Sequence, residues 1–133
     1  MLIVETFLED SPKKGVGLYS THFIPKGNKW WVRNELFDKV TSKAEFEKLP
    51  LLAQEFIKTY GFLEPTGRWY LCIDNARFSN HSDSPNSENE LNENGEIISC
   101  FAIRDINPNE EILCNYRETC QTCVDNLGFE NIE

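Results

Sequence analysis

The chain has 133 residues, of which 40% are hydrophobic and 26% are charged, and its formal net charge at pH 7 is −9. This length predicts one domain with a single core, and no apolar run approaches the roughly 18 residues that a membrane span requires. The negative charge argues against direct nucleic-acid binding and favours a cationic partner, although it would equally serve only to keep a small protein in solution.

The first half of the chain predicts short strands followed by two helices. Apolar runs at 2–7, 17–23 and 30–32 are typical of strands. Ser42 and Glu45 then form a capping-box pattern that begins a helix. A second helix is predicted from 51 to 60, where apolar residues recur four apart before Gly61.

In the second half, a short apolar strand beginning at Tyr70 continues into a polar loop from Arg77 to Asn86. The Asn80 amide both donates and accepts hydrogen bonds, so it suits a ligand with amino-acid-like groups, or it only satisfies backbone groups in a tight turn. Asn94–Gly95 predicts a hairpin with a returning strand at 97–104. The glutamates of this hairpin would recruit a basic peptide or simply be solvated.

The cysteines do not form the pattern of a disulfide framework. Their number is odd, three of them lie in apolar strand-like runs, and the chain does not open with a signal-peptide pattern. We expect buried thiols in a soluble intracellular protein. The five residues are Cys72, Cys100, Cys114, Cys120 and Cys123.

Three ordered segments carry a resemblance to a known family: Gly15–Gly17, Arg77–Asn86 and Ala102–Tyr116. Their sequence and spacing strongly resemble the SET-domain protein-lysine methyltransferases, over about residues 12–123. The resemblance implies a mostly β (α+β) fold, the SET-domain β-clip fold, in which small sheets surround a knot-like crossing. It also implies one domain over 1–133, with a helical insert at about 42–61 and a short tail at about 117–133.

The resemblance implies S-adenosylmethionine as the cofactor. The crossing would bring the Asn-His-Ser stretch beside the tyrosine stretch, with the cofactor on one face and a substrate lysine on the other. In the tail, Phe129 would stack on the adenine as a lid or only tether the tail to the core. The expected cofactor-binding residues are Gly15, Val16, Gly17, Arg77, Asn80, His81, Tyr116 and Phe129.

The implied chemistry explains these residue types. Methyl transfer from a sulfonium to an amine is an in-line displacement, so the protein must position both partners and exclude water. A lysine ammonium, with a pKa of about 10.4 in water, must lose a proton, and an apolar channel beside a sulfonium lowers that pKa. The expected catalytic residues are Tyr116, which would orient the nitrogen or the methyl group, and Tyr70, which matches a second channel tyrosine. The expected substrate channel comprises Tyr70, Cys114 and Tyr116.

Two positions depart from the common family pattern. Asp83 stands where many members have a zinc-binding cysteine, and the tail supplies only Cys120 and Cys123, so we expect no metal unless two chains each contribute a pair. Cys114 stands where many members have a Phe or Tyr that limits the number of methyl groups, which suggests a roomier channel. If the tail does not complete that channel, a second copy would, so monomer and homodimer both remain open.

The sequence therefore predicts a protein-lysine N-methyltransferase that acts on a basic protein segment such as a histone tail, in the cytoplasm or the nucleus. The alternative is a non-catalytic module with the SET fold that binds a peptide without modifying it. The presence of Asn80, His81 and Tyr116 together favours the enzyme.

Overall fold

The computed structural model describes residues 1–119, in which short strands form several small sheets. In chain order the elements are β1 (Thr6–Asp10), β2 (Val16–Ser20), β3 (Lys29–Val32), β4 (Lys39–Thr41), α1 (Lys43–Glu47), α2 (Leu51–Tyr60), β5 (Phe62–Leu63), β6 (Trp69–Leu71), a 3-10 turn (Asn75–Phe78), β7 (Asn80–His81), β8 (Ser87–Leu91), β9 (Ile97–Ala102), β10 (Leu113–Cys114) and α3 (Tyr116–Thr119). The sheets have the strand orders β1-β2, β3-β9-β8, β4-β6-β5 and β7-β10. The predicted mostly β architecture is confirmed.

Both predicted helices are present, and local sequence explains their ends. At the start of α1 the Ser42 hydroxyl accepts from the Glu45 N–H at 3.1 Å, and the Glu45 carboxylate accepts from the Ser42 N–H at 3.0 Å. At the end of α2 the Gly61 N–H donates to the Ile57 carbonyl at 2.7 Å. The residues four apart on α2 do not form its buried face: Leu52 is 81% exposed, whereas Ile57 is buried.

The predicted hairpin is also present. Strands β8 and β9 pair in antiparallel fashion from Ser87↔Ala102 to Leu91↔Ile97. The turn between them needs a residue that tolerates positive φ, and Gly95 supplies it with φ +77°. This is the local geometry that the Asn-Gly dipeptide predicts.

The first strand lies later in the chain than the sequence predicts. The expected strand at 2–7 is replaced by β1, Thr6–Asp10, because its partner β2 pairs Thr6 with Ser20 and Asp10 with Val16. Leu2 instead makes an isolated bridge to Trp31. Apolar composition alone did not reveal that the polar end of β1 has a partner and that the apolar start belongs to another sheet.

The buried side chains form two clusters. The main core lies between the sheets and includes the fully buried Leu18, Ile106 and Ile112. A smaller cluster of Phe46, Ile57 and Trp69 packs the helical segment against β6. No helix among residues 1–119 has the length and apolar character needed to cross a membrane.

One strand pair brings distant parts of the sequence together at the site. Strands β7 and β10 pair in parallel, with Leu113 opposite Asn80 and Cys114 opposite His81. A parallel pair requires a crossover connection, which β8 and β9 supply here. The residues that follow β10 therefore emerge next to the Asn-His-Ser stretch.

Candidate functional site

Tyr116 follows β10 and is held by residues of the β7 segment. Its N–H donates to His81 Nδ1 at 3.1 Å, and its hydroxyl donates to the Ser79 carbonyl. Burial raises the pKa of this hydroxyl well above its usual value, as does the neighbouring Cys114. The phenol therefore stays protonated at neutral pH, and its oxygen can still accept a hydrogen bond.

Asn80 connects this region to the glycine segment. Its Nδ2 donates to the Val16 carbonyl at 3.1 Å, to the Lys14 carbonyl at 3.3 Å and to Glu111 Oε2 at 3.0 Å. None of the hydrogen bonds among residues 1–119 uses its Oδ1. The side chain thus fixes the glycine segment and keeps an acceptor for a ligand.

The two glycines of Gly15–Gly17 serve different purposes. Gly15 has φ +52°, a conformation that L side chains rarely adopt. At Gly17 a Cβ atom would lie 2.2 Å from Glu111 Oε2, so a side chain cannot fit unless this buried carboxylate moves. Glu111 is held in place by the Ser11 hydroxyl, which donates to its Oε2 at 2.7 Å.

A cavity of about 260 Å³ lies between the glycine segment, the end of α2 and Tyr116. Its basic character comes from Lys14 and Arg77. The Arg77 Nη1 donates to the Ile73 carbonyl at 3.1 Å, whereas its Nε is buried without a hydrogen-bond partner in the described part of the chain. The lining residues are Lys14, Val16, Thr59, Tyr60, Arg77, Phe78, Asn80 and Tyr116.

A second, smaller cavity of about 90 Å³ is lined mainly by apolar and small side chains. Trp30 and Phe62 contribute aromatic walls, and three buried thiols, Cys72, Cys100 and Cys114, contribute small ones. Both cavities share part of their lining, so they are neighbours. The shared residues are Thr59, Tyr60, Arg77 and Tyr116.

The predicted cofactor residues have different places around the larger cavity. Val16, Arg77, Asn80 and Tyr116 line it. His81 is buried behind Tyr116 and lines neither cavity as residues 1–119 form them. Phe129, Cys120 and Cys123 lie outside the described residues.

Tyr70 does not join the other predicted site residues. It is fully buried, its hydroxyl donates to Asp38 Oδ2 at 2.6 Å, and its ring stacks on Phe62 at 5.3 Å. It is not part of either cavity lining among the described residues. The prediction that Tyr70 lines a substrate channel is therefore not supported by this arrangement, because its phenol is already satisfied inside the core.

Tyr60 lines both cavities, whereas the sequence predicts only that it lies on a helix. Its ring packs against Phe56 at 4.9 Å and Phe78 at 5.8 Å, with the Arg77 guanidinium above it. The available signal was its position as the last residue of α2, directly before Gly61. A side chain at a helix end next to a chain reversal can reach past the helix to a neighbouring site.

Comparisons with known proteins agree with this geometry. A family model described as SET domain matches residues 15–117, whereas no curated protein matches the sequence. A candidate histone methyltransferase of Plasmodium falciparum aligns with TM-score 0.60 and 21% identity, over 85% of this chain and 93% of that one.

Two structures of Polycomb Repressive Complex 2 from Chaetomium thermophilum are also similar. The complex bound to GSK126 aligns with TM-score 0.67 and 22% identity over 94% of this chain. An autoinhibited form bound to S-adenosylmethionine aligns with TM-score 0.66 and 21% identity over 96% of this chain. This chain spans only 17% of each of those longer chains. Because the family model covers most of the sequence, the chain belongs to the SET-domain family.

Proposed function

We propose that the protein is an S-adenosylmethionine-dependent protein-lysine N-methyltransferase that acts on a basic protein segment such as a histone tail. The observation that carries this proposal is the position of Tyr116 in the shared wall of a basic cavity and an apolar one. A transfer between two bound partners needs a site for each, with the reacting atoms held at the junction.

The larger cavity suits the cofactor. The Lys14 and Arg77 side chains provide positive charge for its carboxylate, and an anion would also satisfy the buried Arg77 Nε. The Asn80 Oδ1 would accept from its ammonium group. When bound, S-adenosylmethionine supplies an electrophilic methyl group on its sulfonium. The similar Polycomb Repressive Complex 2 described above was solved with S-adenosylmethionine bound.

The smaller cavity suits an alkyl amine. Its walls are mostly apolar, so they disfavour an ammonium ion and lower the pKa of a lysine that enters. A phenol hydroxyl can donate one hydrogen bond and accept another, so Tyr116, which donates to the Ser79 carbonyl, would accept from the amine N–H. In this way Tyr116 would orient the nitrogen lone pair without itself ionising.

The experiment that tests this proposal uses the pure protein with a methyl-labelled cofactor. Core histones and a whole-cell extract are offered in parallel, and the labelled bands are hydrolysed to identify methylated lysine. Label on lysine in either sample supports the proposal. Cofactor binding in calorimetry without labelling of any protein would instead indicate the non-catalytic binding module.

Asn80→Ala is expected to weaken cofactor binding by about 1–3 kcal/mol, because the ligand's ammonium loses an acceptor and the glycine segment loses its support. Isothermal titration calorimetry measures the change. Asn107→Ala, which removes an exposed amide, is the matched control and should bind as the wild type does. Wild-type affinity in Asn80→Ala would contradict the assigned role.

Cys114→Tyr is expected to shift the products towards monomethyllysine, because a ring would occupy space in the apolar cavity that Cys114 lines. Mass spectrometry of a methylated peptide gives the product distribution. Cys114→Ser keeps the size of the side chain and should leave the distribution unchanged. An unaltered distribution in Cys114→Tyr would show that Cys114 does not set the available volume.

A further inference from the structure

A buried histidine connects a surface ion pair to the backbone of Tyr116. His81 is only 1% exposed, and its Nδ1 accepts from the Tyr116 N–H at 3.1 Å. On the other side of the ring, Nε2 lies 3.0 Å from Asp83 Oδ1 and 3.0 Å from Arg117 Nη1. The Arg117 guanidinium pairs with the same carboxylate.

The contact of His81 Nδ1 with a backbone N–H defines the tautomer of the ring. A neutral imidazole has one donor and one acceptor nitrogen. Because Nδ1 accepts from a backbone N–H, the proton must be on Nε2. Of the two groups near Nε2, only the Asp83 carboxylate can accept that proton, since the Arg117 guanidinium has no acceptor. Without that acceptor the proton could reside on either nitrogen, and a proton on Nδ1 would face the Tyr116 N–H.

The ion pair also joins the chain on both sides of the tyrosine. Asp83 follows β7, whereas Arg117 is the residue after Tyr116, and the Arg117 N–H donates to Asn115 Oδ1 at 3.0 Å. Asp83 and Arg117 have side chains that are 47% and 32% exposed, so solvent screens their attraction and it adds little to stability by itself. A role in local geometry explains the arrangement better than a role in overall stability.

We propose that Asp83 and Arg117 are positioning residues that act through His81 to hold Tyr116 at the junction of the two cavities. The inference rests on the proposed function for the catalytic role of Tyr116. Asp83 is the more important of the two, because its carboxylate can accept the Nε2 proton, whereas Arg117 also lies near Nε2 but has no acceptor. Arg117 orients the carboxylate.

The kinetic test compares two substitutions at one position. Asp83→Ala removes the acceptor and should lower kcat about ten- to a hundredfold, since a small misplacement of a reacting group has effects of this size. Asp83→Asn keeps an acceptor oxygen, so its kcat should be only a few-fold lower than that of the wild type. The KM for the cofactor should stay within about twofold in both, because the residues that line the larger cavity are unchanged.

Two further variants complete the kinetic test. Arg117→Gln alone should lower kcat a few-fold. In the double variant with Asp83→Ala it should cause little further loss of kcat, because both substitutions affect the same contact between Asp83 and His81. Arg104→Gln is the control, since it breaks another surface ion pair, with Glu110 at 2.6 Å, and should leave kcat unchanged. Unchanged kcat in Asp83→Ala, or fully additive losses in the double variant, would overturn the proposal.

A measurement without turnover separates this inference from the proposed function. In the wild type, the ¹⁵N shifts of the His81 ring should indicate a proton on Nε2, and in Asp83→Ala they should indicate a mixture of tautomers with a shifted Tyr116 amide signal. If the wild type has this tautomer but methylates nothing, the proposed function is wrong, whereas the inference that Asp83 positions Tyr116 through His81 is still supported. If Asp83→Ala changes neither the ¹⁵N shifts of the His81 ring nor the amide signal of Tyr116, the positioning role of Asp83 is refuted, whatever the methyl-transfer activity.

Discussion

Replacement of Tyr116 by phenylalanine is expected to reduce methyl-transfer turnover by about 10²-fold or more while cofactor affinity stays close to that of the wild type. The ring would still fill the shared wall of the two cavities. The hydroxyl that donates to the Ser79 carbonyl would be lost, and with it the oxygen that orients the substrate amine. The loss should therefore appear in kcat rather than in binding.

The measurement is a methyl-transfer assay at saturating cofactor, together with calorimetry of cofactor binding. Tyr19→Phe is the matched control, because it removes a phenol hydroxyl that donates to the Asp10 carbonyl at 2.8 Å, at the surface. Full activity is expected in the control. Turnover within about twofold of the wild type in Tyr116→Phe, or an equal loss in Tyr19→Phe, would exclude the assigned role.

Local sequence signals were sufficient for elements whose ends depend on neighbouring residues. The capping box at Ser42, the chain reversal at Gly61 and the hairpin turn at Gly95 all use contacts within a few residues of the signal. The convergence of Asn80 and Tyr116 is different, because it depends on a parallel strand pair. It was accessible only through the resemblance of the whole set of motifs.

Two tyrosines show why sequence motifs alone do not identify all residues of the site. Tyr70 matches a motif position, but its phenol bonds to Asp38, which lies 32 residues earlier in the chain. Tyr60 matches no motif, yet it lines both cavities because α2 ends beside Phe78. Such long-range contacts leave no trace in periodicity or spacing.

The glycine segment shows how one buried carboxylate can account for several sequence features. Glu111 accepts hydrogen bonds from Ser11 and Asn80, and it occupies the space that a side chain at position 17 would need. The family resemblance implies that Gly17 binds the cofactor. The structure adds a second reason, which is that Gly17 makes room for Glu111 of the third motif.

A network of charged residues joins the two three-stranded sheets. Arg33, which follows β3, donates to both carboxylate oxygens of Glu64 at 3.0 and 2.9 Å. Arg68, before β6, donates to Glu96, before β9, at 2.7 Å. The Arg33 guanidinium also lies 4.6 Å from the centroid of the Tyr70 ring. The same two sheets supply walls of the smaller cavity.

Arg33→Met is expected to lower the free energy of unfolding by about 3–5 kcal/mol, because it leaves the buried carboxylate of Glu64 without its main partner. Urea denaturation followed by tryptophan fluorescence measures this change. Lys29→Met is the matched control: it breaks the exposed pair with Glu90, at 3.5 Å, and should cost less than about 1 kcal/mol. Equal losses in the two variants would mean that burial of the network is unimportant.

The same network predicts how acid affects stability. The hydrogen bond from Arg33 lowers the pKa of Glu35, and hydrogen bonds from Asn92 and then Arg68 lower the pKa of Glu96, both relative to 4.5. A carboxyl whose pKa is lower in the folded state contributes stability above its unfolded pKa, and that contribution is lost as the pH falls through the folded value. The wild type should therefore lose stability below about pH 4.5, and Arg33→Met should show a shallower loss there because the pKa of Glu35 would then be lowered by Arg68 alone. An identical acid dependence in both proteins would mean that Arg33 does not control the ionisation of Glu35.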